Sequence, residues 1–131
     1  YTWTNFDKLH VVIDTTESTL DAKQSFYREL EAHLPDAAII VPTTALHRVA
    51  ELRAGLKHPS RVVGLRMIEP WNRGSLAEIV ASPGGAEPAQ RTRALAIALG
   101  RFVLPTADGV GGLALRIWLP ALNEAGLMIK E

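Results

Sequence analysis

The chain has 131 residues, 47% of them hydrophobic, which is enough to bury one core and close to the usual size of a single domain. Lysine plus arginine and aspartate plus glutamate number 14 each, so no basic field exists to hold a nucleic-acid backbone or an anionic membrane surface. With no cysteine there is no disulfide framework, thiolate metal site or cysteine nucleophile, in agreement with a cytoplasmic setting.

No segment has the basic start, apolar run and cleavage site of a signal peptide, and no run of about 18 apolar residues is free of charge. No membrane span is expected. The chain opens on Tyr1 and stops at Glu131 inside an apolar helical pattern, from which we expect a piece of a longer polypeptide.

In chain order, "LHVVI" (9–13) is a short β-branched run ending at Asp14 and predicts a buried strand. In "STLDAKQSFYRELEAHL" the apolar residues Leu20, Phe26 or Tyr27, Leu30 and Leu34 recur at helical spacing, with Ser18 or Thr19 as N-cap and Pro35 as a stop. "AAIIV" (37–41) predicts a second strand, "ALHRVAELRAGL" (45–56) a second helix and "RVVGL" (61–65) a third strand. This βαβαβ order argues a mostly parallel sheet with helices packed on it. After a Pro-Trp-Asn-Arg-Gly-Ser corner, "LAEIV" (76–80) is a fourth strand. The turn residues of "SPGGAEP" (82–88) open a helix closed by Gly100, and "RFVLP" (101–105) is a fifth strand. A glycine cluster at 109–112 then leads into a last apolar helix with Pro120 in its interior, where a kink is expected.

Some residues carry chemistry on their own terms. Arg66 and Glu78, twelve apart on strands expected to be neighbours, read either as a cross-strand salt bridge or as an ion pair in a cleft beyond a strand end. Gly109, Gly111 and Gly112 precede a helix start, where backbone N–H groups can hold phosphate, but their spacing misses the dinucleotide fingerprint and a plain hinge is the stronger reading. His10, His33, His47 and His58 lack metal-ligand spacing. Thr43 and Thr44 either face a ligand or cap the helix from Ala45, and Lys23 is by default a solvated surface residue.

The order of "LHVVIDTTESTLDAKQSFYREL", "IIVPTTALHRVAELRAGLKHPSRVVGLRMIEP", "LAEIV" and "LPALNEA" resembles the second half of the NAD-binding domain of L-3-hydroxyacyl-CoA dehydrogenases, including the fatty oxidation complex alpha subunit. The resemblance covers nearly the whole chain, and the block from His58 to Val80 is its most specific part. In that family a Gly-Leu-His-Phe-Phe-Asn-Pro motif supplies a histidine that takes the proton of the substrate 3-hydroxyl while hydride goes to NAD. A glutamate twelve residues later orients the histidine. The matching segment here runs Gly64, Leu65, Arg66, Met67, Ile68, Glu69, Pro70, so the histidine position holds Arg66, the asparagine position holds Glu69, and the glutamate is Glu78. A guanidinium with a pKa above about 12 cannot act as general base near neutral pH.

The resemblance implies further roles. The asparagine of the family's Pro-Gly-Phe-x-x-Asn-Arg segment corresponds to Leu115, beside a retained Arg116. The Asn-Thr-Ser-Ser stretch that faces cofactor and substrate reads Pro42, Thr43, Thr44, Ala45, keeping a hydroxyl at Thr44. Ser18 and Thr19 replace a Glu-Asn pair, and the lysine that follows is kept as Lys23. On this basis Glu78 and Arg66 occupy catalytic positions, Lys23 and Thr44 face the cofactor, and Glu69 and Leu115 face the substrate. The implied fold is α/β, with a partial Rossmann-type unit over 1–108 and a hinge plus the first helix of a truncated helical domain over 109–131.

NAD and acyl-CoA are the ligands of the full-length family, and no cofactor is expected to bind this segment alone. The expected function is that of a 3-hydroxyacyl-CoA dehydrogenase-like segment, inactive alone because of Arg66, with a non-catalytic scaffold as the alternative. The apolar face of the last helix, including Leu113, Ile117, Trp118 and Leu122, is expected to fold back on its sheet or to form a homodimer.

Overall fold

The computed structural model describes residues 5–67 and 76–129. Strand β1 (Val11–Asp14) leads through a loop into helix α1 (Leu20–His33), then β2 (Ile39–Pro42), a short α2 (Val49–Leu52) and β3 (Gly64–Met67). Next come β4 (Leu76–Val80), α3 (Ala86–Ala98), β5 (Phe102–Pro105) and α4 (Gly112–Met128). β1 and β2 pair in parallel, β3 and β4 antiparallel, and β4 and β5 in parallel. A parallel bridge from Ile40 to Val62, with the Val63 amide on the Ile40 carbonyl at 2.9 Å, joins the two groups of strands.

Alternation along each strand divides the core between two faces. Ile40, Val62 and Val80 pack with Tyr27 and Leu30 of α1, Leu34 just after it, and Val49 and Leu52 of α2. Ile39, Val41, Val63, Leu65, Ala77 and Ile79 point the other way, toward Ala96 of α3. This Rossmann-like arrangement, a mostly parallel sheet between helices, is the fold expected from the βαβαβ pattern. Gly64 lets α2 approach the sheet, because a Cβ there would stand 2.7 Å from Val49 Cγ2 and 3.2 Å from Val80 Cβ.

Local signals explain most boundaries. The Thr19 hydroxyl accepts the Ala22 amide at 3.4 Å at the start of α1, and Leu34, held extended before Pro35, ends it. The second helix departs from expectation: it was expected over 45–56 but spans four residues. The Thr44 hydroxyl accepts the Leu46 amide, which holds that stretch in a turn, and Gly55 turns the chain out at φ +79°. Strand β3 begins three residues later than expected, because Pro59–Arg61 form a 3-10 turn in which the Pro59 carbonyl accepts the Val62 amide, and Val62 meets the sheet through an isolated bridge to Ile40.

Helix α4 does not fold back over the sheet. Gly112 is its one buried residue among those described, and Trp118 and Leu122 are 56% and 60% exposed. Pro120 lies inside the helix, as the sequence requires. Among the described residues no helix is long and apolar enough to cross a membrane. The corner between β3 and β4 lies outside the described residues, and with it Glu69.

Candidate functional site

Arg66 and Glu78 face each other in the β3–β4 register, two residues beyond Gly64 and Val80 on the face that carries α2. Both are buried. The expected salt bridge between them is absent, because each side chain turns to other partners. Arg66 donates from Nε to the Thr44 carbonyl at 3.2 Å and from Nη2 to the His47 carbonyl at 3.4 Å. Its ion pair is with Asp108, Nη2 to Oδ1 at 3.9 Å, while Nη1 is buried with no hydrogen-bond partner among the described residues.

Glu78 is directed at the start of α4. Its Oε2 accepts the Leu113 amide at 2.9 Å and its Oε1 the Ala114 amide at 2.7 Å, with the Thr106 hydroxyl 3.5 Å from Oε2. These amides belong to the first turn of a helix, where no intrahelical acceptor exists and the dipole favours negative charge. Both carboxylate oxygens of Glu78 are thus engaged by backbone N–H groups within the fold.

Asp108 completes the arrangement from the loop after β5. Its two oxygens accept the amides of Val49 and Ala50 at 2.9 and 2.7 Å, so it caps α2 while it neutralises Arg66. Sequence reading missed Asp108, and nothing in the pattern around it signals a partner 58 and 59 residues away.

Between α4 and the sheet lies a cleft of about 310 Å³, bordered by Arg66, Met67, Glu78, Leu115, Trp118 and Leu122. It therefore brings together three of the expected site residues, Arg66, Glu78 and Leu115. Thr43, not Thr44, reaches this cleft, and the Thr43 hydroxyl donates to the Asp14 carbonyl at 3.0 Å.

Lys23 stands elsewhere. It is buried, contrary to its default reading as a surface residue, and its ammonium donates to Asp14 Oδ2 and the Thr16 carbonyl at 2.7 Å each and to the Thr16 hydroxyl at 3.3 Å. Tyr27 donates to the same Asp14 oxygen at 2.7 Å. Burial alone would raise the Asp14 carboxyl, but hydrogen bonds from Lys23, Thr16 and Tyr27 outweigh it and hold the group below its ordinary value. Burial first, then the Asp14 hydrogen bond and charge, pushes the Tyr27 phenol far up. All three donors of Lys23 are thus spent within the fold, and Thr44 spends its hydroxyl oxygen on the Leu46 turn.

This Rossmann-like sheet, with a cation and a carboxylate in register at the foot of a cleft, has the form of a dehydrogenase domain. The chain belongs to the family described as 3-hydroxyacyl-CoA dehydrogenase, NAD binding domain, whose model matches residues 3–108. It is 29% identical over 128 residues to the fatty acid oxidation complex subunit alpha of Idiomarina loihiensis, covering 97% of this chain and 18% of that protein. It is 27% identical over 122 residues to a probable 3-hydroxybutyryl-CoA dehydrogenase of Bacillus subtilis, covering 92% of this chain and 42% of that one. The chain thus spans less than half the length of these relatives. Among solved structures, the 3-hydroxybutyryl-CoA dehydrogenase of Escherichia coli K12 shares the fold with a TM-score of 0.86 at 21% identity, over 95% of this chain and 27% of that one.

Proposed function

We propose that this chain is a segment of a 3-hydroxyacyl-CoA dehydrogenase-like protein of fatty-acid β-oxidation in the cytoplasm, and that its own domain no longer performs the proton transfer. The parent reaction is NAD-dependent oxidation of the 3-hydroxyl of an acyl-CoA, which needs a base at position 66 and a carboxylate to orient it. One observation carries the reading: the side chain at 66 is a buried guanidinium tied to Thr44, His47 and Asp108, while Glu78 is committed to α4. Such a cation accepts no proton near neutral pH.

NAD is the family's cofactor, and it supplies the hydride acceptor when bound. This segment alone is proposed to hold none, since Lys23 has no donor left for a phosphate or ribose oxygen. Calorimetric titration of the chain with NAD tests this: the expected result is no saturable heat, and a dissociation constant below about 100 μM would overturn it.

A second reading, a non-catalytic scaffold or interaction domain, is favoured by the exposed apolar side chains of α4, Ile117, Trp118, Leu119 and Leu122 among them. A homodimer through that helix is the form we propose for it. Light scattering tests this second reading, which expects twice the chain mass at micromolar concentration.

A further inference from the structure

We infer that Glu78 is the latch that fixes α4 on the sheet, and so the positioning residue that sets one wall of the cleft. The inference rests on geometry alone and stands or falls independently of the proposed loss of activity. It also gives a reason for a carboxylate at this position that requires no catalysis.

The attachment of α4 is narrow. Beyond Gly112 no described residue of the helix is buried, so packing does little to fix its direction. What fixes it is polar and confined to its first turn. Glu78 receives Leu113 and Ala114, and the Gly111 amide donates to the Ala45 carbonyl at 2.7 Å.

The fit leaves no room for a side chain at position 112. A Cβ on Gly112 would come within 3.2 Å of Glu78 Oε1 and within 3.0 Å of its Cδ, closer still to Oε2, and the residue has φ +61°. Gly111, at φ +77°, makes the turn just before it. Two glycines therefore let the chain reverse and press the helix start against a carboxylate rooted in the middle of β4.

The wall that α4 contributes to the cleft consists of Ala114, Leu115, Trp118 and Leu122, against Arg66 and Met67 of β3. When the latch is broken, the helix moves about 109–112 as one arm and the cleft loses that wall. Because the carboxylate is held from the helix side, Arg66 is left to Asp108 and to the loop before α2.

Amide exchange followed residue by residue tests the latch in the intact chain. First-turn amides of a helix lack an intrahelical acceptor and ordinarily exchange fast, so protection at Leu113 and Ala114 reports the carboxylate directly. We expect both amides to be protected in the wild type. In Glu78→Gln and in Gly112→Ala, which disturbs the same contact from the other side, protection should fall by roughly tenfold or more, as for loss of a charge-assisted hydrogen bond. Amides of β2 and β3, such as Ile40 and Val63, should keep theirs.

A distance measurement adds a second readout. The chain has no native cysteine, so spin labels at Asp21→Cys and Asn123→Cys are unambiguous, and both positions are exposed. With the labelled chain diluted in excess unlabelled chain so that only intrachain pairs are read, the distance distribution should be narrow in the wild type and broad in both variants. Unprotected Leu113 and Ala114 amides in the wild type would overturn the inference. So would equal loss of protection across the core, which is the mark of a merely structural residue, or a distribution left narrow by Glu78→Gln.

Discussion

Arg66 and Glu78 are partners in the β3–β4 register, yet the ion pair of Arg66 is with Asp108, from the loop after β5. The two side chains share a strand face and leave it in different directions, one toward the loop before α2 and the other toward α4. Each of the three charged groups joins a different pair of segments. Together they hold β3, β4, α2 and α4 around one cleft.

Asp108 should therefore matter more to stability than its partial exposure suggests. Asp108→Ala removes the cap of α2 and the counter-charge of Arg66, and the expected cost is about 2 kcal/mol in urea unfolding. Asp108→Asn keeps acceptor capacity at the helix start and should cost less. Equal stability of Asp108→Ala and wild type would mean that α2 and Arg66 do not depend on it.

The buried group of Asp14, Lys23 and Tyr27 predicts the pH profile. Asp14 is held below its ordinary value in the folded chain, so its contribution is present above about pH 4 and is lost as pH falls through the folded value. Glu31 adds to the same acid limb. Burial would raise it, but the Lys57 and His58 amides and then the Arg61 charge hold it lower. Tyr27 is raised, so its contribution is intact below about pH 10 and lost above it. Thermal melts should show a plateau between these limits. Tyr27→Phe should flatten the alkaline limb, and Lys23→Met should cost about 3 kcal/mol at neutral pH by leaving a buried carboxylate without its cation.

Much of the fold was legible because its signals are local. The strands are short β-branched runs, and α1 is bounded by Thr19 and Pro35. The neighbourhood of Arg66 and Glu78 also followed from strand order. Their partners did not, since Glu78 meets amides 35 and 36 residues further on, and nothing near either end marks the contact. Lys23 looked like a surface lysine because its counter-ion lies on the preceding strand, and α2 looked longer because its cap comes from Asp108.

The apolar side chains of α4 make self-association the expected state at micromolar concentration. Light scattering should give twice the chain mass, and replacement of Trp118 and Leu122 by serine should return the monomer. A wild-type monomer, unchanged by those substitutions, would exclude a dimer through this helix.

Arg66→His is expected to restore no dehydrogenase activity by itself. Glu78 is engaged by α4, and Leu115 borders the cleft where the resembling family has an asparagine. The check is NADH formation from 3-hydroxybutyryl-CoA in the longest polypeptide that carries this domain, and a clear rise above the Arg66 protein would show a site otherwise intact.

The most direct measurement is made on that same polypeptide, comparing its rate of NADH formation with that of its Arg66→Met variant. If this domain transfers no proton, any rate observed arises elsewhere in the polypeptide, and Arg66→Met is expected to leave it unchanged. A rate that falls roughly tenfold or more on that substitution, equivalent to about 1.4 kcal/mol of transition-state stabilisation, would contradict it.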